Sequence, residues 1–462
     1  MAARRNFFCV PVLPLVLAAA LASPVPRFVD RRCAAPELTA QARCGTVSVP
    51  ENRWVPSRRS IALNVVVLPA TSSRTLPPLF DIDGGPGLAD TKNAGFYLGD
   101  GSAYRKHRSI VLVDQRGTGA SNPLDCPELG GPAAALQPMY PPEAVGRCRK
   151  ALDPKADLTQ YGTEAAVADL DAVRTALGFR RLDLIALSYG TTVALRYLAA
   201  HPDRVRAAAL MSVAPPSAMP PRDHAVVGEW ALKLLFAQCA DDTRCRSAYS
   251  PDSDFAKALT LLPTLSGGPS PAVFAEKIRS LMYQPATARM IPNVLHHAAA
   301  GDLEPFYALT RSGGRLSYSD GMYLSVTCSE SLGHFDYAKA ATAARKTRFG
   351  DYRLERQRAA CDQWPKAHVA SDFYAPVQAK SAVLIISGAL DPVTPPEWAA
   401  EVARHLPNGR QVTIRQSGHI FDGLSGVDTC FDPLVIRFFE TGDAKALDAS
   451  CLETMKPPAF KQ

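Results

Sequence analysis

Three polar residues stand shortly after apolar runs that predict buried strands. Ser188 follows the run Leu182–Leu187, and an apolar segment at helical spacing begins just beyond it. Asp391 and His419 each follow a later run of this kind, the first in a proline-rich turn and the second in a glycine-containing loop. A neutral serine becomes a nucleophile only beside a base, and the base needs an orienting carboxylate. The order serine, aspartate, histidine therefore predicts acyl transfer by a catalytic triad.

Small residues flank the predicted nucleophile. Ala186 precedes Ser188 by two positions and Gly190 follows it by two. They fit a sharp turn from strand to helix, which exposes the hydroxyl above the sheet and crowds the two elements together. The start of the following helix favours developing negative charge. Taken alone, a Ser-x-Gly sequence after a strand is equally typical of an ordinary turn, so the assignment depends on the other two residues.

The choice of His419 rests on its context, because the chain has nine histidines. His201, His296 and His405 lie in or at the ends of helical patterns. His224 and His334 fall in a purely helical segment, where they could still contact a substrate. His419 is therefore the predicted base.

Acyl transfer also needs two backbone N–H groups fixed around the developing oxyanion. The N–H of Tyr189, next after the serine, is one predicted donor. A short predicted strand ends at Asp83 and runs into Gly-Gly-Pro-Gly, whose glycines let the backbone approach a ligand closely. Gly85 is the predicted second donor, with Gly84 as the alternative. The loop could also be an ordinary turn, and it lacks the ending of a phosphate-binding loop.

Strand and helix patterns alternate in two stretches of the chain, separated by a segment in which only helical patterns occur. This order predicts an α/β fold with a mostly parallel sheet and a helical lid over its carboxyl edge. We predict the first part of the core at 23–213, the lid at 214–376 and the second part of the core at 377–462. The predicted lid helices are Val226–Phe236, Phe255–Leu262, Val273–Tyr283, Met290–Ala299 and Leu303–Leu309.

Two further predictions concern structural residues of the first part. Thr163 is expected to cap the helix that runs to Leu177. Asp114 and Arg116 follow a predicted strand, and we expect them to form an ion pair that shapes the glycine-rich loop after it. Neither prediction gives these residues a role in chemistry.

The N-terminus has the pattern of a secretory signal. Arg4 and Arg5 precede the apolar run Phe7–Leu21, and a small-x-small cleavage site ends at Ala22. The run is short for a membrane span, so we predict a signal peptide at 1–22 and no stable membrane anchor. The protein is then expected in the periplasm or the medium. A retained anchor is the alternative.

Beyond that segment the chain has ten cysteines. An even number after a signal peptide argues for disulfides formed in an oxidising compartment. The sequence does not fix the pairing, but the cysteines fall into five local couples. We predict the bonds Cys33–Cys44, Cys126–Cys148, Cys239–Cys245, Cys328–Cys361 and Cys430–Cys451.

Composition and charge disfavour several other classes of function. The chain has 462 residues, 47% of them hydrophobic, which is ample for a large core. Its formal charge of +7 comes from scattered residues rather than from a basic tract, so we expect no nucleic-acid partner. The sequence has neither a dinucleotide fingerprint nor the usual spacing of metal ligands. We therefore expect no cofactor and no metal.

Five motifs together resemble the prolyl aminopeptidase and tripeptidyl aminopeptidase family of secreted α/β-hydrolases. In chain order they are Asp83-Gly-Gly-Pro-Gly, Val113-Asp-Gln-Arg-Gly-Thr-Gly-Ala-Ser, Ser188-Tyr-Gly-Thr, Gly388-Ala-Leu-Asp-Pro-Val-Thr-Pro and Ser417-Gly-His. The resemblance extends over most of the chain and implies an α/β-hydrolase fold. It also implies that Ser188, Asp391 and His419 are the nucleophile, acid and base, and that short peptides are cleaved from a free N-terminus.

An aminopeptidase needs a carboxylate near its active site to hold the ammonium group of the substrate. Glu330, at the end of the predicted lid, is the candidate, because the resembling family commonly has an acid shortly after a cysteine such as Cys328. Alternatively, Glu330 caps a helix or forms an ion pair on the lid surface. A peptide with a free N-terminus is thus the expected substrate, and a small ester is the alternative.

The chain departs from the family at two positions, which bear on the substrate more than on the fold. Asp83 replaces the histidine that is common before Gly-Gly-Pro-Gly, and Ala186 replaces a glycine. A secreted carboxylesterase or lipase with the same triad is the alternative function, and it would have an apolar acyl pocket. A scaffold that binds without catalysis would have a broken triad, whereas all three positions are intact here.

Overall fold

The computed structural model describes residues 26–34, 38–55, 59–73, 75–130, 136–312 and 318–461. The predicted signal peptide at 1–22 lies outside these ranges. Among the residues that are described, none of the helices combines the length and the apolar character that a membrane crossing requires.

The described strands form one sheet. They are β1 (Phe28–Arg31), β2 (Arg43–Pro50), β3 (Ser60–Leu68), β4 (Leu79–Ile82), β5 (Ile110–Val113), β6 (Leu182–Leu187), β7 (Val205–Met211), β8 (Ala382–Gly388) and β9 (Gly409–Ile414). Their order across the sheet is β1-β2-β3-β5-β4-β6-β7-β8-β9. Neighbours from β1 to β5 pair antiparallel, and those from β5 to β9 pair parallel. The parallel strands therefore end along one edge of the sheet, where ligands bind in open α/β folds.

Helices cover both faces of the parallel strands, and this is why β5, β6 and β7 are almost wholly apolar. The helices before β7 are α1 (Ala94–Leu98), α2 (Pro142–Leu152), α3 (Thr163–Ala176) and α4 (Tyr189–Ala200). Those after β8 are α15 (Pro396–Arg404) and α16 (Asp432–Thr441).

A helical insertion connects β7 to β8. Its helices are α5 (Pro220–Asp241), α6 (Thr243–Ala248), α7 (Pro251–Leu261), α8 (Pro271–Leu281), α9 (Pro285–Ala288), α10 (Ile291–Ala299), α11 (Glu304–Ser312), α12 (Asp320–Glu330), α13 (Tyr337–Ala344) and α14 (Tyr352–Cys361). The first of these helices, including α5, α7, α8 and α10, form an apolar core of their own. Helices α12 and α14 instead pack into the core on one face of the sheet. The sheet and its helical insertion confirm the predicted fold class.

The five disulfides join the cysteines in the predicted couples. The bonds are Cys33–Cys44, Cys126–Cys148, Cys239–Cys245, Cys328–Cys361 and Cys430–Cys451. The fourth bond joins α12 to α14, which are therefore linked covalently as well as by packing.

The predicted ion pair between Asp114 and Arg116 is wrong. Arg116 is fully buried and binds Asp169 of α3, with Nε 2.7 Å from Oδ2 and Nη2 2.7 Å from Oδ1. The carboxylate of Asp114 instead accepts hydrogen bonds from the backbone N–H groups of Thr91 and Ala120, each at 3.0 Å. The partner of Arg116 lies 53 residues further along the chain. Local sequence therefore could not reveal it.

Candidate active site

The turn between β6 and α4 holds Ser188 in a strained conformation. Its φ is 56° and its ψ −125°, a region that residues with a side chain rarely adopt. The Ser188 N–H donates to the carbonyl of Met211 on β7 at 3.0 Å, which fixes the turn from outside. A Cβ at Gly190 would lie 2.2 Å from the carbonyl oxygen of Ile82, so α4 crowds against the neighbouring strand β4 rather than against β6, the strand that the sequence indicated. The serine side chain is half-buried at the edge where the parallel strands end.

The other two triad candidates are in direct contact. His419 Nδ1 lies 2.8 Å from Asp391 Oδ2, and both side chains are buried. The backbone N–H groups of Val393 and Thr394 donate to Asp391 Oδ1 at 2.8 and 2.9 Å. The Thr394 hydroxyl donates to Asp391 Oδ2 at 2.7 Å. Because Nδ1 of the imidazole faces the carboxylate, Nε2 is the ring atom left to exchange a proton with a nucleophile.

The loops after β8 and β9 are pressed together where acid and base meet. A Cβ at Gly388 would lie 2.0 Å from the carbonyl oxygen of Gly418. The insertion also contacts this place. The ring of Tyr283 packs edge-on against His419, with centroids 5.0 Å apart, and the Tyr283 carbonyl accepts the N–H of Ile420 at 2.8 Å. The base is thus held by both the sheet and the insertion.

The Gly-Gly-Pro-Gly loop after β4 lies against the serine. A Cβ at Gly84 would lie 2.9 Å from Ser188 Cβ, so only glycine fits there. Gly85 has a φ of 114°, which also requires glycine. The Gly84 N–H donates to Asp83 Oδ1 at 2.7 Å, and this bond occupies it. Of the two predicted donors in this loop, Gly85 is therefore the better placed.

Three carboxyl groups, those of Asp81, Asp83 and Asp90, flank this loop. Desolvation raises the pKa of Asp81 to about 7, and the charge of Asp83 adds to the effect. Burial, with repulsion from Asp83 and Asp81, raises the pKa of Asp90 well above its usual value. Asp90 Oδ1 accepts the N–H of Asp83 at 2.7 Å, and Asn93 donates to Asp81 at 3.0 Å. The group supports the loop through these bonds.

A cavity of about 270 Å³ opens above the strand ends, and residues from both parts of the fold line it. The sheet contributes Gly84, Gly85, Ser188, Tyr189, Val393, Thr394 and His419. The insertion contributes Pro221, His224, Tyr283, Tyr318, Tyr323, Val326, Glu330 and Arg353. The predicted nucleophile, base, oxyanion donors and substrate-binding acid thus all border one space.

Glu330 is buried at the end of α12 and caps a helix from a distance. Its Oε1 accepts the backbone N–H of Thr163 at 2.6 Å, and its Oε2 accepts the Thr163 hydroxyl, also at 2.6 Å. The prediction that Thr163 is itself the cap is wrong, because Gly162 precedes the helix and Glu330 supplies the acceptor. Burial raises the pKa of Glu330 to about 7. The residue lies in the cavity wall rather than on the surface.

Two further residues of the cavity wall, Arg353 and Tyr323, belong to no motif visible in the sequence. They belong to α14 and α12, neither of which is among the predicted lid helices. An arginine in a polar helical pattern looks like a surface residue, so the sequence carried no signal for it. Of the two histidines predicted as possible substrate contacts, His224 lines the cavity and His334 is not among its lining residues.

Two family models match the chain, and between them they contain the whole predicted triad. A model described as alpha/beta hydrolase fold matches residues 82–238, and one described as TAP-like protein matches residues 345–451. The first range includes Ser188, and the second includes Asp391 and His419. The segment between the two ranges lies within the helical insertion.

Curated relatives match nearly the whole chain at low identity. Tripeptidyl aminopeptidase of Streptomyces coelicolor is 26% identical over 480 residues, covering 92% of this chain and 86% of the relative. Serine protease Hip1 of Mycobacterium tuberculosis is 24% identical over 460 residues, covering 89% and 87%. Carboxylesterase B of Mycobacterium tuberculosis is 25% identical over 456 residues, covering 89% and 86%. The chain is therefore a serine hydrolase with the α/β-hydrolase fold, and its C-terminal part matches the TAP-like model.

Proposed function

We propose that the protein is a secreted aminopeptidase that releases residues or short peptides from free N-termini. Ser188, Asp391 and His419 form its triad, and the reaction passes through an acyl-enzyme. The observation that carries the proposal is the shared cavity: a strained serine, an aspartate-bound histidine and a buried carboxyl border the same space. A peptide with a positive N-terminus matches a serine nucleophile and a nearby acid better than an uncharged ester does.

In the proposed reaction, Ser188 Oγ attacks the scissile carbonyl carbon while His419 Nε2 takes its proton. The N–H groups of Gly85 and Tyr189 stabilise the oxyanion of the tetrahedral intermediate. His419 then gives the proton to the leaving amine as the C–N bond breaks, which leaves an ester to the serine. A water molecule, deprotonated by His419, attacks this ester and releases the acid and the free serine. Asp391 keeps the imidazole oriented throughout.

Glu330 is the proposed anchor for the substrate ammonium. Each carboxylate oxygen accepts one hydrogen bond from Thr163 and retains capacity for another. The Thr163 hydroxyl also lies 2.9 Å from the hydroxyl of Tyr189, the residue next to the nucleophile. Glu330 is therefore linked, through the side chains of Thr163 and Tyr189, to the turn that carries Ser188. This linkage would hold a bound N-terminus at a set distance from the reacting serine.

Export from the cytoplasm is part of the proposal. Five disulfides support it, since such bonds persist in oxidising compartments. The predicted signal peptide points the same way. Release of the signal near Ala22 would leave the described domain in the periplasm or the medium.

A carboxylesterase with the same triad is the second candidate function. The cavity wall includes apolar residues that an acyl chain could contact, among them Leu88, Val326 and Phe373. The relative named carboxylesterase B favours this alternative as well. The two candidates share the triad and differ in what Glu330 does.

The test compares three substrates: a peptide anilide with a free amine, its N-acetylated twin and a short acyl ester. Each is measured with the wild type, Glu330→Gln and the control Glu355→Gln, which removes an exposed acid on α14. We expect rapid cleavage of the free-amine peptide alone. Glu330→Gln should raise the KM for that peptide by about 10-fold, as expected for loss of a charge-assisted contact, whereas the control should not.

Two other results would contradict the proposal. Equal cleavage of the acetylated peptide would indicate a peptidase that does not require a free N-terminus. Hydrolysis of the ester alone would favour the carboxylesterase and would leave Glu330 with a purely structural role as a helix cap.

A further inference from the structure

Two arginines of the insertion share a single carboxylate. Arg279 donates to both oxygens of Glu276, from Nε at 3.1 Å and from Nη2 at 2.7 Å. Arg353 of α14 donates to Glu276 Oε1 through Nη1. One negative charge thus faces two positive charges, and the group retains one excess positive charge. We call these three residues the cationic cluster.

The cationic cluster lies largely out of solvent but reaches the cavity. The side chains of Arg279 and Glu276 are 2% and 10% exposed, whereas that of Arg353 is 16% exposed and lines the cavity. Among the described residues, neither Arg353 Nε nor Arg279 Nη1 has a hydrogen-bond partner, although both atoms are buried. Buried N–H groups and charges without partners are costly. The cluster therefore has unused capacity to bind an acceptor.

The surroundings of the cluster hold it in place without neutralising it. A Cβ at Gly228 of α5 would lie 3.0 Å from Arg279 Cδ, so the glycine makes room for the arginine stem. Arg353 Nη2 donates to the Tyr323 hydroxyl at 3.3 Å. Burial, followed by the charges of Arg353 and Arg279, lowers the pKa of His224, so that it does not add to the positive charge.

The cluster is also close to the reacting groups. The Arg279 guanidinium lies 5.5 Å from the centre of the Tyr283 ring, which also contacts the predicted base His419. Arg353 and Glu330 line the same cavity from α14 and α12. The Cys328–Cys361 disulfide joins these two helices. A cation and an anion are thus presented to one substrate space from a covalently linked pair of helices.

An ion pair that serves only to join α8 to α14 does not account for this arrangement. Arg279 alone satisfies Glu276 with two hydrogen bonds. A second buried guanidinium adds a desolvation cost and an excess charge, which packing does not require. The cost is offset if the cavity receives a negatively charged group.

We propose that the cationic cluster is a subsite for a carboxylate of the substrate, with Arg353 as the residue that contacts it. The inference rests on the proposed peptidase function and deepens it. The carboxylate is either the C-terminal carboxylate of a short peptide or the side chain of an aspartate or glutamate. Guanidinium groups bind carboxylates through strong charge-assisted hydrogen bonds. The cavity then selects peptides that carry a positive N-terminus and a negative group a few residues away.

The test uses pairs of short peptides with free N-termini that differ in a single carboxylate. One pair ends in a free acid or an amide, and a second pair is amidated and carries glutamate or glutamine at one position. Both pairs are assayed with the wild type, Arg353→Met and the control Arg358→Met, which removes an exposed arginine from the same helix. In the wild type we expect kcat/KM to be at least about 10-fold higher for the charged member of one pair, or about 1.4 kcal/mol. The pair that shows the preference identifies the source of the carboxylate.

Arg353→Met should reduce this preference to nearly one, and Arg358→Met should leave it unchanged. Arg353→Met is expected to fold, because Glu276 keeps Arg279 as a bidentate partner and the remaining pair is neutral. Arg353→Lys provides a second variant that keeps the charge but loses the planar fork, and it should show an intermediate preference. Equal kcat/KM within both pairs for the wild type would overturn the subsite, as would a full preference in Arg353→Met.

A binding measurement separates this inference from the proposed function. Ser188→Ala, with and without Arg353→Met, is titrated with the acid and amide peptides by calorimetry. If the wild type hydrolyses none of the peptides, the proposed function fails, and the titration still decides the subsite. Tighter binding of the charged peptides that depends on Arg353 supports the subsite, and equal binding of both members rejects it.

Discussion

The two walls of the cavity are built on different principles. The strand-end rim consists of the loops after β4, β6, β8 and β9, which carry Gly85, Ser188, Asp391 and His419. The insertion wall consists of the cavity-lining residues of α5, α12 and α14. In the rim, backbone groups approach so closely that single glycines are required, as at Gly190. In the insertion wall, the long charged side chains of Glu330 and Arg353 reach the cavity, and Arg353 is held there by an ion pair with Glu276.

The difference indicates a division of labour. Backbone contacts leave little freedom, so the rim suits chemistry that depends on the placement of atoms to within fractions of an ångström. Ion pairs and long side chains tolerate substitution of their neighbours, so the insertion wall suits the choice of substrate. If this division holds, rim variants should alter turnover or folding, and insertion-wall variants should alter selectivity.

The largest effect should come from the rim, at the nucleophile. Ser188→Ala removes the attacking oxygen, and we expect kcat to fall by at least about 10⁴-fold. The melting temperature should hardly change, since the methyl group occupies the same space. Ser102→Ala, at an exposed serine far from the cavity, is the control and should keep full activity. Turnover that persists in Ser188→Ala would show that the rim residues do not carry out the reaction.

The difference between the rim and the insertion wall also explains which residues could be predicted from the sequence. Every rim residue follows a strand, and the end of a strand is visible as an apolar run that stops at a turn. The triad candidates, Gly85 and Tyr189 could therefore be placed before the structure was known. The alternation of patterns likewise predicted the sheet and the insertion, although β1 lies in a stretch that showed no periodicity.

The insertion wall could be predicted only in part. Glu330 was identified from its place after Cys328, but its helix α12 was not, because polar and apolar residues follow no clear period there. The role of Arg353 depends on Glu276, which lies 77 residues earlier in the chain. Arg116 and Asp169 are another pair whose contact could not be predicted, because they lie 53 residues apart in the chain. Partners brought together by tertiary packing leave no mark in local sequence.

The next largest effect should again come from the rim, on folding rather than on turnover. Gly190→Ala places a Cβ 2.2 Å from the Ile82 carbonyl oxygen, so β4 or α4 must shift. We expect a loss of about 3 kcal/mol in the free energy of unfolding, which a denaturant titration would measure. The control Gly95→Ala adds a Cβ to an exposed helical glycine with open space around it and should be neutral or slightly stabilising. Equal stability of the two variants would show that the rim is not closely constrained.

Substitutions that disturb the insertion wall should change substrate binding rather than turnover. Replacing both Cys328 and Cys361 by alanine removes the covalent link between α12 and α14. We expect the KM for a free-amine peptide to rise by about 10-fold, which is the change expected for the loss of one charged contact. The turnover number for a short ester should stay within about twofold of the wild-type value, because the substitutions leave the rim unchanged. The matched control replaces Cys239 and Cys245, whose bond joins α5 to α6. Cys239 lies about 22 Å further along α5 than His224.

That control tests whether any change in the insertion has the same consequence. Loss of the Cys239–Cys245 bond should leave both KM values unchanged, since it joins α5 to α6, which contributes no residue to the cavity, whereas α12 and α14 both line it. If both double variants raise the KM equally, the insertion acts as one loosely coupled body. If the ester reaction falls together with the peptide reaction, the two walls are not separable.

The smallest expected effect is a pH dependence of substrate binding that distinguishes the insertion wall from the rim. Burial raises the pKa of Glu330 to about 7, so its ionised fraction falls as the pH falls through that value. An ammonium group binds the ionised form, so the titration of Glu330 should raise the KM of a free-amine peptide by about threefold between pH 7.5 and 6.5. Over the same range the protonated fraction of the peptide amine, whose ordinary pKa is about 7.7–8.0, rises from about two-thirds to nearly all, which lowers the KM by about 1.4-fold and leaves a net rise of about twofold.

Titration of groups that act on both substrates cancels in the ratio of the KM for the peptide to the KM for the ester, so this ratio reports Glu330 and the peptide amine. In Glu330→Gln the rise of this ratio at low pH should disappear, although its absolute value should be higher throughout. A ratio that stays constant in the wild type would mean that no group of the insertion wall titrates against the substrate. Glu330 would then remain a helix cap, and the ammonium group would have to be held at the rim, where Asp83 is the carboxyl that lines the cavity.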